Sequence, residues 1–346
     1  MPDTLHITNG DGAADIIEIC GVDGDVLPWR DPMHHGPFLP GLSLEQLSRV
    51  RIAYLEGGLN TPHESASSVG VHGFTERDSV LESAYKYDEV VLWFEHDLLD
   101  QLQILQLLDW FALATPLECK LSLICINQFD GIPNFRGIGQ LVPEQMATLY
   151  AKRQPITSAQ LQSAQTYWAA FCASEPQTLL KLVKANSTKN ESVTPFTVAA
   201  LMRHCQEFPW TADGLTLTER QLLKLVASGV TRPQQVFLNN MDFESYLYIG
   251  DWRTYSQIAE LCESQNPLMA CESGKRFVHP NNPSVSTDAF AEQRLCITPL
   301  GKRVLGGDAL NGADTLTRDR WLGGVHLRTG AQLWYWNEQT QTFTYS

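Results

Sequence analysis

Four short β-branched or aromatic runs, each followed by a turn and a helical hydrophobic period, open the chain, and this alternation constrains its fold more than any other feature. The runs cover residues 5–8, 26–29, 90–94 and 121–126; the helical patterns cover 13–20, 44–56, 76–87 and 98–113. Parallel strands need crossovers that lay helices on the sheet faces. Residues 1–142 are therefore expected to form a Rossmann-like α/β domain, with a parallel or mostly parallel sheet covered by helices on both faces.

The period changes after residue 142. Helical patterns over 143–152, 158–173, 177–185, 195–207 and 216–227 follow one another with no strand between them, which predicts a helical region over 143–213. From Gly214 to Pro233 a capped helix, a glycine turn and a second helix start have the layout of a helix-turn-helix. A strand-like 294–297 then runs into Thr298-Pro299-Leu300-Gly301, as in a winged helix. Residues 214–346 are thus expected to be winged-helix-like, ending in a β-hairpin of aromatic strands, with turns at Thr329-Gly330 and Glu338-Gln339.

Charge narrows the partners. The 346 residues carry a net charge of −14, and the tail from residue 214 holds 12 Lys plus Arg against 13 Asp plus Glu, so −13 of it lies in residues 1–213. Acidity on this scale weakens any reading that rests on a polyanion's phosphates. The second helix of the helix-turn-helix offers Arg232, Gln234 and Gln235 and then Asp242 and Glu244, a poor reading surface for DNA, so a structural or protein-binding role is favoured there. The N-terminus lacks the basic start and apolar core of a signal peptide, and a cytoplasmic protein is expected. Even the most apolar region, 90–113, carries Glu95, His96, Asp97, Asp100 and Asp109, so no membrane span is expected. Eight cysteines are spread singly and read as reduced thiols.

In open α/β sheets ligands bind beyond the carboxyl ends of the strands, and each predicted strand end carries polar groups. Gly10-Asp11-Gly12 precedes a helix, where backbone amides could approach an anion, although Asp15 stands where a dinucleotide fingerprint would place its third glycine. Arg30, Asp31 and His35 lie in a loop stiffened by Pro32 and Pro37. Glu95-His96-Asp97 closes the third strand and Asp100-Gln101 open the next helix; Glu95 and Asp97 would project to one side and His96 to the other, with Asp97 also placed as an N-cap. Glu95, His96 and Asp97 are the catalytic candidates, as holders of a divalent metal or as an acid/base group. Arg136, in the glycine-rich loop after the fourth strand, could grip a phosphate or carboxylate bidentately, or bridge to an acid of this half. The motifs GxxxxGK[ST], GxSxG and HExxH are absent, so P-loop hydrolase, nucleophile-elbow and zincin chemistries are set aside.

Several of these blocks together, LHITNGDGAADII, RDPMHHGP, VVLWFEHDLLDQLQILQLLDWFA, FRGIGQLVPEQ, GLTLTERQLL, ITPLGKRVL and DRWLGGVHL, resemble the bacterial domain of unknown function 1835 family over nearly the whole chain. The resemblance implies no activity. It does imply that Asp11, Asp31, Glu95, His96, Asp97, Asp100 and Gln101 act as one constellation, and Gly12 departs from the Ser expected in many relatives.

The reading that follows is a pocket at the strand ends for a small ligand, phosphorylated in the preferred version, held through Gly10, Asp11, Gly12 and Arg30 or Arg136. If it is catalytic, metal-assisted hydrolysis or phosphoryl chemistry is the class these residues fit. The rival is a non-enzymatic regulator, with the α/β domain as sensor and the winged helix contacting nucleic acid or protein. A purely structural interaction protein predicts no concave pocket at all.

Overall fold

A computed structural model describes residues 3–58, 71–114, 119–187, 193–280, 287–310, 319–328 and 330–346. The front of the chain runs β1 (Thr4–Thr8), α1 (Asp11–Ile19), β2 (Asp25–Pro28), α2 (Leu44–Ala53), α3 (Val71–Glu82), β3 (Glu89–Glu95), α4 (Leu98–Leu113), β4 (Lys120–Ile126), α5 (Pro143–Tyr150) and β5 (Gln154–Pro155). The sheet order is β2-β1-β3-β4-β5; β1 to β4 are parallel and β5 is antiparallel. The expected mixed α/β architecture with a mostly parallel sheet is present. The expectation of no strand within the helical region 143–213 is corrected by β5, whose Gln154 and Pro155 pair with Leu123 and Ser122. An edge strand tolerates a proline because one of its sides has no partner to donate to.

Next come α6 (Ser158–Phe171), α7 (Pro176–Asn186) and α8 (Thr197–Cys205). β3 is buried along its full length, as a central parallel strand must be when both faces are covered. One face packs Ala13 and Ile17 of α1 and Met146 and Leu149 of α5 against Val91, Trp93 and Ile124. The other receives α4, which lies between the sheet and α6 and α8. Enclosed on most sides, α4 buries three glutamines among its leucines, and each has a partner: Gln101 Nε2 donates to Glu95 O at 2.8 Å, Gln103 Nε2 to Trp29 O at 2.8 Å, and Gln106 Oε1 accepts from Trp29 Nε1 at 2.9 Å.

The remainder comprises α9 (Leu217–Ala227), α10 (Pro233–Met241), α11 (Asp251–Glu263), β6 (Met269–Cys271), α12 (Thr287–Ala291), β7 (Leu295–Ile297), α13 (Pro299–Leu305), β8 (Asp319–Leu322), β9 (Val325–Arg328), β10 (Trp334–Asn337) and β11 (Thr342–Tyr345). Leu222, Leu223, Val236, Ile258, Met269, Leu295 and Val304 make a second core from α9, α10, α11, the β6–β7 ribbon and α13. The last two hairpins do not belong to it. Leu322, Val325, Leu327, Trp336 and Phe343 join the core of the sheet and α4, so the first strand and the last share one interior.

The hairpin turns also differ from expectation. β8 pairs with β9 through Gly323-Gly324, and β10 pairs with β11 across the expected turn at Glu338-Gln339. Among the described residues β9 and β10 belong to different sheets and do not pair across Gly330; Thr329, the other half of that expected turn, lies outside the described residues. Among the described residues no helix is long and apolar enough to cross a membrane. None of the eight cysteines is in a disulfide.

Candidate functional site

The chain passes from β1 to β2 on one side and then returns to place β3 on β1's other side, so strand order reverses beside β1. Such a reversal opens a crevice at the carboxyl ends of the two strands. A cavity of about 300 Å³ lies at this end of the sheet. Asn9, Gly10 and Asp11 follow β1 into it, and Arg30, Asp31, Pro32 and His34 come from the loop after β2. Leu99 and Gln103 come from α4, and Gly250, Asp251, Trp252 and Arg253 form an outer wall at the start of α11.

Two helices thus begin at this cavity. The N-caps Gly10 of α1 and Gly250 of α11 have no side chain with which to occupy the first-turn amides. By contrast, α4 is capped by Asp97, whose carboxylate accepts from Asp100 N at 2.8 Å. First-turn N–H groups without a cap, together with the helix dipole, favour an anion.

The acids around the cavity are already engaged. Asp11 pairs with Arg30 at 2.6 Å, with both partly exposed. Asp31 is taken by the fully buried Arg51, with Nη2 at 2.6 Å and Nε at 3.1 Å, and Arg51 also donates to His35 O at 2.7 Å. One guanidinium therefore ties the loop after β2 to α2, which is how the loop keeps its shape without regular structure. The Asp251 carboxylate accepts from Trp252 N at 2.8 Å.

Behind Asn9 lies a carboxylate cluster. One oxygen each from Glu95, Asp97 and Asp100 falls within a 4.8 Å group, and all three residues are buried. Asn9 Nδ2 donates to Glu95 at 3.3 Å and to Asp100 at 3.1 Å, Glu95 N donates to Asp100 at 2.6 Å, and Ile138 N donates to Glu95. Gly137 runs so close that a Cβ there would overlap the Glu95 carboxylate. Burial pushes the Glu95 carboxyl well up, with the charge of Asp97 adding to it. Burial likewise raises Asp97 to about 6. Asp100 is raised by burial and by the charges of Glu95 and Asp97. Such a group can hold and release a proton near neutral pH or, with a cation between its oxygens, ionise fully.

The expected site residues divide accordingly. Gly10, Asp11, Arg30 and Asp31 line the cavity, while Gly12 sits in the first turn of α1 outside the lining. Glu95, Asp97 and Asp100 converge behind it. His96 turns away, as strand alternation predicts, with its ring against Phe196 and Tyr246, and burial lowers its pKa. His35 packs on His34 and Tyr54 beside a second, much smaller cavity. Gln101 is a buried link, accepting from Thr194 and Thr197. Arg136 pairs with Asp242 at 2.9 Å, bridging the loop after β4 to the C-terminal end of α10, and is not part of the cavity lining.

Asn9, Gln103 and the wall at 250–253 were not legible as site residues. For the wall one signal exists: Gly250-Asp251 repeats the glycine-acid pair of Gly10-Asp11 at a helix start. Compared with known proteins, the chain matches no protein-family model and no curated protein.

Proposed function

We propose that the crevice beside β1 binds a small anionic ligand, a phosphate ester in its preferred form, and that Glu95, Asp97 and Asp100 serve it as a proton donor or as holders of a divalent cation. What supports this reading is the convergence on one cavity of two helix N-termini with glycine N-caps, that of α11 with one first-turn amide taken by Asp251, and the guanidinium of Arg30. The carboxylates add the chemistry. Three of them in one buried shell resist full ionisation without a cation, and either a retained proton or a bound divalent ion suits hydrolysis or phosphoryl transfer. His96, packed between aromatic rings, has no part in this version. Membership of the domain of unknown function 1835 family, and a cytoplasmic setting consistent with eight cysteines outside any disulfide, belong to the same proposal.

Isothermal titration with inorganic phosphate, with and without Mg²⁺, tests it. Arg30→Ala should weaken phosphate binding by about tenfold or more, the loss of one charge-assisted bidentate contact, while leaving the melting temperature nearly unchanged because its pair with Asp11 is partly exposed. Absence of phosphate binding in the parent chain sinks the reading.

A second reading is supported by α11, which supplies the outer wall of the cavity and belongs to the second core. The α9–α11 helices with the β6–β7 ribbon have the element content of a winged helix, and in this reading occupancy of the cavity changes what that unit contacts. The net charge of −14 favours a protein partner over nucleic acid. A gel shift on mixed-sequence DNA that weakens as salt rises would reverse that preference.

A further inference from the structure

Beyond the anion-facing turn at Gly10, the walls of the cavity become apolar and aromatic, with Pro32, Leu99 and Trp252. Trp252 lies in the first turn of α11 and is 40 % exposed, and its indole stacks on His279 with ring centroids 5.7 Å apart and planes at 27°. That neighbour supports the ring from one side. A supported indole at a cavity wall is a platform for a flat ring, and stacking of this kind tolerates any base.

Gln103 adds a directional group. It is fully buried in the cavity wall, and its amide is fixed by Nε2 donating to Trp29 O at 2.8 Å and Asp31 O at 3.2 Å. That leaves Oε1 buried with no hydrogen-bond partner. An orphaned buried acceptor is costly, and a ligand donor such as a ribose hydroxyl or an exocyclic amine would satisfy it. Size sets the remaining limit. About 300 Å³ stands at the lower end for small-molecule sites, room for one nucleoside and not for the two of a dinucleotide.

We propose that the site takes a nucleoside monophosphate, with its phosphate at the first turn of α1 and Arg30 and its base on Trp252. This rests on the anion-binding reading above and adds the aromatic half of the ligand. A phosphate arriving at Arg30 displaces the Asp11 carboxylate, one anion replacing another in a partly exposed pair, so the exchange costs little.

Titration calorimetry on the full chain with inorganic phosphate, adenosine 5′-monophosphate and uridine 5′-monophosphate tests the assignment, run on the parent, Trp252→Ala and Trp252→Phe, with circular dichroism to verify folding. At least one nucleotide should bind about tenfold or more tightly than phosphate, in keeping with one stacked base. Trp252→Ala should bring the ratio of nucleotide affinity to phosphate affinity down to about one, and Trp252→Phe should keep most of the parent's ratio. Equal affinity for phosphate and both nucleotides, or an unchanged ratio in Trp252→Ala, overturns the nucleotide assignment and leaves the anion site standing. No binding of phosphate or of either nucleotide overturns both.

Discussion

At the level of single residues, the carboxylates behind Asn9 are set against the stability of the fold at neutral pH. Each is held above its ordinary range, so the folded chain binds protons more tightly than the unfolded chain and stability falls as pH rises. For Asp97 the loss begins near its unfolded value of 3.8 and is complete above about 6; a shift of that size corresponds to about 3 kcal/mol. Asp97→Asn isolates this effect, because asparagine caps a helix as well as aspartate and can still accept from Asp100 N. We expect the variant to match the parent at pH 4 and to exceed it at pH 7 by up to about 3 kcal/mol, less about 0.5 kcal/mol for the lost charge at the helix dipole. Urea unfolding at the two pH values checks it; a variant no more stable than the parent at pH 7 contradicts the cause given. The cluster itself was legible in the sequence, since Glu95, Asp97 and Asp100 follow a strand and open a helix. The role of Asp31 was not. Its partner Arg51 lies twenty residues on in α2, and nothing in a helical period distinguishes a buried arginine from a solvated one.

Among the elements, the contrast between α1 and α4 separates stability from binding. Both begin at strand ends, yet α4 has an aspartate cap and α1 a glycine. Gly10 has extended backbone, with φ 170° and ψ −175°, a conformation open to any residue, and a Cβ there would meet nothing within 4 Å. Neither conformation nor space therefore demands the glycine, and a bare helix end is what remains to explain it. Gly10→Ser should raise stability by about 0.5–1 kcal/mol, by capping α1 and narrowing the unfolded ensemble, and should weaken phosphate binding by about tenfold because the serine hydroxyl competes for the same amides. Thermal melts and phosphate titration on one preparation test both halves; a gain in stability with unchanged binding would remove α1 from the site. At this scale the sequence was most readable where period and caps agree, as in α4, whose bounds match its hydrophobic run. It failed at β5, because two residues are too few to show an alternation.

For the molecule as a whole, what eluded the sequence is contact between distant parts. The cavity joins residues 9–34 to residues 250–253, and the first strand shares its core with the last hairpin; no local pattern encodes either. Charge does part of this joining. Arg320 on β8 reaches Glu219 of α9 at 3.1 Å and Glu260 of α11 at 2.7 Å, and lies 3.9 Å from Glu207 after α8. It is buried, as are Glu207 and Glu219, and the charges of the three glutamates hold it ionised despite the cost of burial. One arginine from the hairpin that closes the first core thus fastens two helices of the second. A buried ion pair adds little over a well-packed apolar substitute, but removing one member leaves the others buried without compensation. Arg320→Met should therefore lower unfolding free energy by roughly 3–5 kcal/mol, and adding Glu219→Gln to it should recover part of that loss, since the charge left stranded is removed. Urea unfolding of the parent, the single variants and the double variant closes the cycle. Additive losses in the double variant would mean that the arginine and the glutamate act independently, and the fastening of α9 through this pair would then be wrong.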